Sequence, residues 1–144
     1  MSKKVLILNG PNLNLLHIRD KNVYGDGSLE EIEKDCKDLA QDLNLEIDFL
    51  QSNNEGELVD FIQKAINNFD GIIINAAGYT HTSVAIRDAL ELFKGAKIEL
   101  HISNIFKREE FRQNSYLSDV ADAVISGLGV SGYQISLRAI NEMI

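Results

Sequence analysis

Residues 71–102 read GIIINAAGYTHTSVAIRDALELFKGAKIELHI and contain one complete strand–helix–strand pattern. A short apolar run at Gly71–Asn75 precedes an amphipathic stretch at Thr82–Phe93, and a second apolar run follows at Lys97–Ile102. Nearly continuous apolarity is typical of strands covered on both faces, and a helix between two such strands is typical of parallel pairing. This stretch therefore predicts two parallel strands joined by a crossover helix.

The same alternation extends in both directions from this stretch. Further strands are predicted at Lys4–Asn9, Glu46–Gln51 and Ala123–Ser126. Further helices are predicted at Ser28–Leu43 with a capping box of Ser28 and Glu31, at Leu58–Phe69 with Asn54 and Glu57 as a cap, at Gly132–Met143 and, shorter, at Arg108–Arg112. The pattern predicts an α/β fold. We expect a flavodoxin-like three-layer sandwich with a five-stranded parallel sheet in the order 2-1-3-4-5, and a single domain that spans residues 1–144.

The composition limits the partners that we expect for the chain. Its 144 residues are 44% hydrophobic and carry a net charge of −8, which opposes non-specific binding to nucleic acid or to an anionic membrane. No apolar run reaches the ~18 residues of a membrane-spanning helix, and the N-terminus is predicted to be a strand rather than a signal peptide. The single cysteine, Cys36, is predicted to pack in the core, and we expect a cytoplasmic protein.

The connection Gly10–Gly27 after the first strand is unusually long, which is typical of a lid or a binding loop. In a sheet of this order, ligands bind beyond the carboxyl ends of the strands, near the switch point between strands 1 and 3. Polar segments follow three of these strand ends, and we expect them to converge: residues 9–13 with Arg19 and Tyr24, residues 75–83, and residues 101–104 with Arg108 and Arg112.

Strand 4 carries a carboxylate and an imidazole two residues apart, at Glu99 and His101. Because side chains alternate along a strand, both lie on one face, and the carboxylate can orient the ring and favour its protonated form. A structural ion pair and a positioned acid both remain open interpretations. Arg108 and Arg112 would share one face of a short helix, which fits either an anion site or a solvated charged turn.

Several common cofactor motifs are absent from the sequence. It has no phosphate-binding loop of the G-x-x-x-x-G-K-[ST] type and no dinucleotide glycine fingerprint after strand 1. The glycine-rich residues 127–132 are predicted to form a tight turn and a helix entry. No lysine falls at a carboxyl strand end, where Schiff-base chemistry would need one. The candidate chemistry is therefore that of amides, guanidiniums, a phenol and an imidazole.

A set of motifs covers the chain from residue 5 to about residue 140. They are residues 9–13 (NGPNL), Arg19 with Tyr24 and Gly25, residues 51–53 (QSN), residues 75–83 (NAAGYTHTS), residues 99–104 (ELHISN), residues 108–112 (REEFR), and residues 127–129 (GLG) with Gly132 and Tyr133. In order and spacing this set resembles the type II 3-dehydroquinate dehydratase family. The resemblance implies a lyase of the shikimate pathway of aromatic amino acid biosynthesis. Such a lyase removes water from 3-dehydroquinate to give 3-dehydroshikimate, without cofactor or metal. The resemblance also implies a homo-oligomer, a dodecamer built from trimers.

The resemblance implies a role for each matching residue. Tyr24 is the general base that takes a proton alpha to the ketone, and Arg19 is the lid cation that favours its phenolate. His101 protonates the leaving hydroxyl, with Glu99 behind it. Asn12 helps to hold a water near the enolate, and the substrate hydroxyls are bound by Asn75, His81 and Arg112. The substrate carboxylate is bound by Ile102 and Ser103. Arg108 is a further cation of the lid or cleft, and Asp88 is contributed by a neighbouring subunit.

The residue types suit this reaction. A phenol with an ordinary pKa near 10 is only ~0.1% ionised at pH 7, so a phenolate base needs a nearby cation. A lid that carries both groups removes the water that would screen them. The lid departs from the family pattern: the family often has glycine at position 17 and Glu-Pro at 20 and 21, where this chain has His17, Asp20 and Lys21. We expect these changes to affect the dynamics of the lid rather than the chemistry.

Two other functions fit the predicted fold. One is a flavodoxin-like binding or signalling module, which would not explain the Arg19–Tyr24 lid or the Glu99–His101 strand. The other is a lyase that acts on a different hydroxylated cyclic acid, which the arginines of the predicted cleft would accept.

Overall fold

Five apolar segments of the sequence pair side by side into one parallel sheet. A computed structural model describes residues 2–25 and 27–144. Within these residues the sheet order is β2-β1-β3-β4-β5. The strands are β1 (Lys3–Asn9), β2 (Leu45–Gln51), β3 (Gly71–Asn75), β4 (Ala96–His101) and β5 (Ala123–Ser126). The predicted flavodoxin-like fold and strand order are confirmed, and each predicted strand end lies within one residue of the observed one.

Four of the five α-helices in the described residues begin at a capping side chain, and α5 begins without one. They are α1 (Lys21–Tyr24), α2 (Leu29–Asp42), α3 (Glu55–Ala65), α4 (Val84–Leu92) and α5 (Ser131–Met143). Ser28 caps α2 and Asn54 caps α3 by accepting from the backbone N–H three residues later. Helix α3 ends earlier than the predicted Phe69 because Asn67 adopts a left-handed conformation with φ 65°. None of the described helices is both long and apolar enough to cross a bilayer.

Alternating side chains of the sheet separate two apolar layers. Val5 and Ile7 of β1 pack in one buried cluster with residues of α2 and α5, whereas Leu6 and Leu8 pack in the other with residues of α3 and α4. Cys36 of α2 is fully buried in the first cluster. The sheet is therefore covered on both faces, which leaves the carboxyl ends of its strands as the open edge for a site.

The predicted helix at Arg108–Arg112 is wrong. The chain forms two separate 3-10 turns there, at Ile105–Lys107 and at Glu110–Gln113. Asn104 caps the first turn by accepting from the N–H of Phe106, and Arg108 is extended with φ −104° and ψ −167°. The extended residue interrupts any helix, so the two arginines do not share a helical face.

The long connection after β1 is partly ordered into helical turns. It contains a 3-10 helix at Leu13–Ile18 and the short helix α1, so most of the predicted loop has regular structure. It begins at Gly10, where an added Cβ would lie 2.4 Å from the carbonyl oxygen of Ala76. This close approach requires glycine and brings the start of the connection against the end of β3.

Candidate active site

A small cleft opens at the carboxyl ends of the central strands. Of the twelve residues that the sequence predicts for the site, nine line this cleft: Arg19, Tyr24, Asn75, His81, His101, Ile102, Ser103, Arg108 and Arg112. The segments that follow β1, β3 and β4 therefore meet at one place.

The lid contributes a phenol in contact with guanidinium groups. Asp20 caps α1 by accepting from the N–H of Asn22, and Tyr24 ends this helix one turn later. The Nη2 atom of Arg19 donates to the phenol oxygen of Tyr24 at 2.5 Å. Tyr24 is only 7% exposed. The guanidinium carbons of Arg19 and Arg108 lie 3.9 and 5.2 Å from the centre of its ring. Cations this close favour negative charge on the phenol oxygen.

Strand β4 contributes a buried carboxylate in contact with an imidazole. Glu99 is fully buried, and its Oε2 lies 2.5 Å from Nε2 of His101. The hydroxyl groups of Ser115 and Ser118 donate to its two oxygens, at 2.9 and 2.5 Å. Burial alone raises the pKa of Glu99, but the hydrogen bonds from His101, Ser118 and Ser115 outweigh burial and hold this pKa below its ordinary value. Glu99 is therefore an ionised carboxylate at neutral pH.

A second imidazole lies beside the first. The ring of His81 stacks on that of His101 with centroids 6.4 Å apart and an angle of 19° between the planes. Burial lowers the pKa of His81, the carbonyl of Asn114 opposes this, and the charges of His101 and Arg112 lower it further. Nδ1 of His81 lies 2.8 Å from that carbonyl, which can only accept, so a neutral His81 ring carries its proton on Nδ1 and offers Nε2 as an acceptor.

The amide of Asn75 is held by a buried polar chain behind the cleft. Its Nδ2 donates to the phenol oxygen of Tyr133 at 3.0 Å, and that phenol donates to Oδ1 of Asn9 at 2.7 Å. Oδ1 of Asn75 accepts from the N–H of Ala77. Burial raises the pKa of Tyr133, so its phenol stays protonated and completes the chain. One Nδ2 hydrogen of Asn75 is left for a ligand in the cleft.

Two arginines after β4 make the cleft locally positive in an acidic chain. Arg108 donates to Oγ of Ser103 at 3.4 Å. Arg108 and Arg112 both pair with the carboxylate of Glu109, at 3.8 and 3.1 Å. With Arg19, three guanidiniums thus line the cleft against one carboxylate of a neighbouring turn. This excess of positive charge suits a substrate that carries a carboxylate.

Three predicted site residues do not line the cleft. Glu99 lies behind His101. Asn12 is exposed, has φ 70° and lies with Arg19 beside a neighbouring hollow. Asp88 is an exposed residue of α4. The structure adds Ser115 and Ser118, which the sequence analysis did not identify, and gives Asn9 and Tyr133, which it named only within motifs, a role in holding Asn75. The hydrophobic periodicity gives no sign of the two serines, because they lie in a segment without regular secondary structure.

Other candidates from the sequence lie apart from this chemistry. Burial, with the charges of Asp35 and Glu33, raises the pKa of Cys36 to about 12, so its thiol is unreactive and serves packing. Gly127 and Gly129 adopt positive φ in the turn before α5. Among the residues that the structure describes, no cluster of three or more histidine, cysteine, aspartate or glutamate side chains could hold a metal ion.

The geometry is suited to proton transfer on a small anion, because a base candidate and an acid candidate face one positive cleft. The protein is thus an enzyme of the flavodoxin-like α/β class. The family model for dehydroquinase class II matches residues 3–141. A 3-dehydroquinate dehydratase of Endomicrobium trichonymphae is 54% identical over 94% of this chain and 95% of its own length, and one of Bartonella tribocorum is 50% identical over 100% and 97%.

A solved structure gives the same result. The crystal structure of a type II dehydroquinase from Butyrivibrio crossotus superposes with a TM-score of 0.95 at 44% identity, and covers 97% of this chain and 98% of that one. The chain belongs to the dehydroquinase class II family. The resemblance seen in the sequence is thereby confirmed.

Proposed function

We propose that residues 1–144 form one catalytic domain that removes water from 3-dehydroquinate to give 3-dehydroshikimate, a step of the shikimate pathway of aromatic amino acid biosynthesis. Family membership supports the activity. The observation that carries the proposal is that Tyr24, bonded to Arg19, and His101, bonded to Glu99, line the same cleft. This arrangement offers a base and an acid to one small substrate.

Proton removal is the first step. The Tyr24 phenolate takes a proton from the carbon alpha to the ketone, and the electron pair of that C–H bond moves into an enolate. Arg19 supports the step because its guanidinium, 2.5 Å from the phenol oxygen, favours negative charge there. Neutral donors then stabilise the enolate oxygen. Asn12 holds a water for this purpose, which its position beside Arg19 supports.

Loss of the hydroxyl is the second step. The enolate collapses to the ketone, a carbon–carbon double bond forms, and the bond to the leaving hydroxyl breaks. His101 gives the hydroxyl a proton, so it departs as water. With Nε2 engaged by Glu99, Nδ1 is the ring atom available for this transfer. The ionised Glu99 fixes the orientation of the ring through this contact. No metal or cofactor takes part in this route.

The remaining lining groups orient the substrate. The substrate carboxylate binds the backbone N–H of Ile102 and the hydroxyl of Ser103, with the guanidinium of Arg108 close by. The substrate hydroxyls bind Asn75, His81 and Arg112. The fixed amide of Asn75 and the tautomer of His81 support this assignment, because each presents a defined donor or acceptor to the cleft.

Replacement of Arg19 by alanine is expected to lower kcat, because the phenol oxygen of Tyr24 would lose the guanidinium that is bonded to it. The measurement is kcat and KM for both enzymes, with Arg138→Ala on α5 as a control for the loss of one positive charge. Turnover equal to that of the wild type would remove Arg19 as the group that supports Tyr24.

The activity itself has a direct test. The product carries a carbon–carbon double bond conjugated with the ketone, so mixing the protein with 3-dehydroquinate should produce a new ultraviolet absorbance. A panel of other hydroxylated cyclic acids tests for a lyase of different specificity. Folded protein that leaves 3-dehydroquinate unchanged would instead favour a binding module.

We also propose a homo-oligomer, a dodecamer built from trimers, and a cytoplasmic location. The resemblance to the family is what supports the assembly, with Asp88 reaching the substrate of a neighbouring subunit. Its exposed position on α4 suits a contribution across an interface. Mass measured by light scattering tests the assembly. Mixed oligomers of Asp88→Ala and Tyr24→Phe subunits are expected to regain activity, since some sites would then contain both native residues.

A further inference from the structure

We propose that residues 114–119 form a positioning segment for both imidazoles of the cleft, and that Ser115 and Ser118 act on His101 through Glu99. This inference rests on the proposed function and deepens it. Neither serine lines the cleft. Both are therefore positioning residues, which act through the carboxylate that they hold.

The hydroxyl of Ser115 has a single free direction for its proton. Its oxygen accepts from the backbone N–H groups of Leu117 and Ser118, at 3.0 and 3.2 Å. A hydroxyl has two acceptor lone pairs and one donor hydrogen, so both lone pairs are in use. The hydrogen is then directed to Oε2 of Glu99, 2.9 Å away. The turn of the backbone thus makes Ser115 an obligatory donor to this carboxylate.

Ser118 supplies the other oxygen of the same carboxylate. Its hydroxyl donates to Oε1 of Glu99 at 2.5 Å, while Oε2 is shared between Ser115 and His101. Every oxygen of a fully buried carboxylate therefore has a donor. A buried carboxylate without such donors takes up a proton, because burial disfavours its charged form. The two serines, together with His101, allow Glu99 to remain charged in this position.

The residues that pair with Glu99 in the sheet are Ile74 of β3 and Val124 of β5, and neither can ionise. The charges of Glu99, His101 and Arg112 all act on His81, which follows β3. The two serine hydroxyls are therefore neutral donors that, together with His101, keep Glu99 ionised.

The same segment also holds His81. The carbonyl of Asn114 lies 2.8 Å from Nδ1 of His81, and the N–H of Tyr116 donates to the carbonyl of Thr80. Arg87 of α4 fixes the segment from outside, since it donates to the carbonyl of Tyr116 and forms an ion pair with Asp119. One short segment, anchored to α4, therefore sets the orientation of both rings that meet the substrate.

Two isosteric variants at one position test the inference. Ser118→Thr keeps the hydroxyl and Ser118→Val replaces it with a methyl group of similar size, so their difference isolates the hydrogen bond. Relative to Ser118→Thr, we expect Ser118→Val to lose about ten-fold in kcat, with KM changed little, because a hydrogen bond to a charged group is removed away from the substrate. The acid limb of its pH–rate profile should move to higher pH, because Glu99 loses a hydrogen bond that lowers its pKa.

The control is Ser136→Ala on α5. The hydroxyl of Ser136 is buried and has no hydrogen-bond partner in the described part of the chain, so the same chemical deletion should leave kcat and the pH profile unchanged. Histidine ring NMR gives a readout that needs no turnover. The chain has three histidines, and the ring signals of His101 should change between Ser118→Thr and Ser118→Val, while those of His17 stay constant.

The outcomes separate this inference from the proposed function. An inactive wild-type protein would reject the proposed function, and the NMR comparison would still test the serines. An active wild type with the same kcat, pH profile and His101 signals in both Ser118 variants would overturn the inference. A loss equal in Ser118→Thr and Ser118→Val would also overturn it, since the hydroxyl would then not be the cause.

Discussion

Replacement of Tyr24 by phenylalanine is expected to reduce turnover by about 10²–10⁴-fold while the protein still folds, because general base catalysis typically contributes this much. The change removes one oxygen atom. The ring remains, and with it the contacts to the guanidiniums of Arg19 and Arg108. The buried packing of this residue in the lid is therefore retained, and what is lost is the atom that would take the proton.

Exchange of the substrate proton alpha to the ketone provides the decisive measurement for Tyr24. In D₂O the wild-type enzyme should incorporate deuterium at that carbon, and Tyr24→Phe should lose both exchange and elimination. Tyr116→Phe is the matched control, since its side chain is 42% exposed and its hydroxyl has no hydrogen bond among the described residues. Turnover or exchange within a few-fold of wild type in Tyr24→Phe would reject this residue as the base.

The two phenols near the cleft show how environment separates one residue type into two roles. Tyr133 is fully buried between the amides of Asn9 and Asn75, where burial raises its pKa and its proton is held in a hydrogen bond. Tyr24 lies at the edge of the cleft with two guanidiniums. The first phenol is thereby a fixed structural donor, whereas the oxygen of the second accepts a hydrogen bond from the Arg19 guanidinium at the cleft.

The fold was predictable from local patterns because each pattern has a single physical cause. Strands covered on both faces must be apolar throughout, so Lys4–Asn9 and Gly71–Asn75 stand out from the amphipathic helices between them. The prediction failed where local forces compete. At residues 108–112 the charge pattern allows a helix, but the capping of Phe106 by Asn104 starts a separate 3-10 turn and leaves Arg108 extended.

The strand pattern of the sequence predicts only those site residues that follow the ends of strands. Residues directly after β1, β3 and β4 must converge in a parallel sheet, which brings Asn75 and His101 into one cleft. Partners that arrive through long-range contacts leave no such sign. Tyr133 meets Asn9 across 124 residues of sequence, and Ser118 meets Glu99 from an irregular segment. Such pairs depend on the folded geometry and not on any periodicity.

Replacement of His101 by alanine is expected to reduce turnover by about 10²–10⁴-fold through the opposite half of the reaction. The leaving hydroxyl would lose its proton donor, whereas the Arg19–Tyr24 pair would remain intact. The variant should therefore still exchange the proton alpha to the ketone in D₂O while water loss is slow. This result differs from the one expected for Tyr24→Phe, which loses exchange as well as elimination, and no general defect in folding or binding would produce the difference.

The stability of the His101 variant gives an independent check on its partner. Glu99 would keep its bonds to Ser115 and Ser118 but lose its hydrogen bond to His101, so we expect a loss of roughly 1.5–3 kcal/mol in the free energy of unfolding. The double variant Glu99→Gln/His101→Ala removes the unpaired charge and should recover part of this loss in denaturant unfolding. Wild-type turnover in His101→Ala would reject the acid role, and an equal loss of exchange and elimination would show that His101 also serves proton removal.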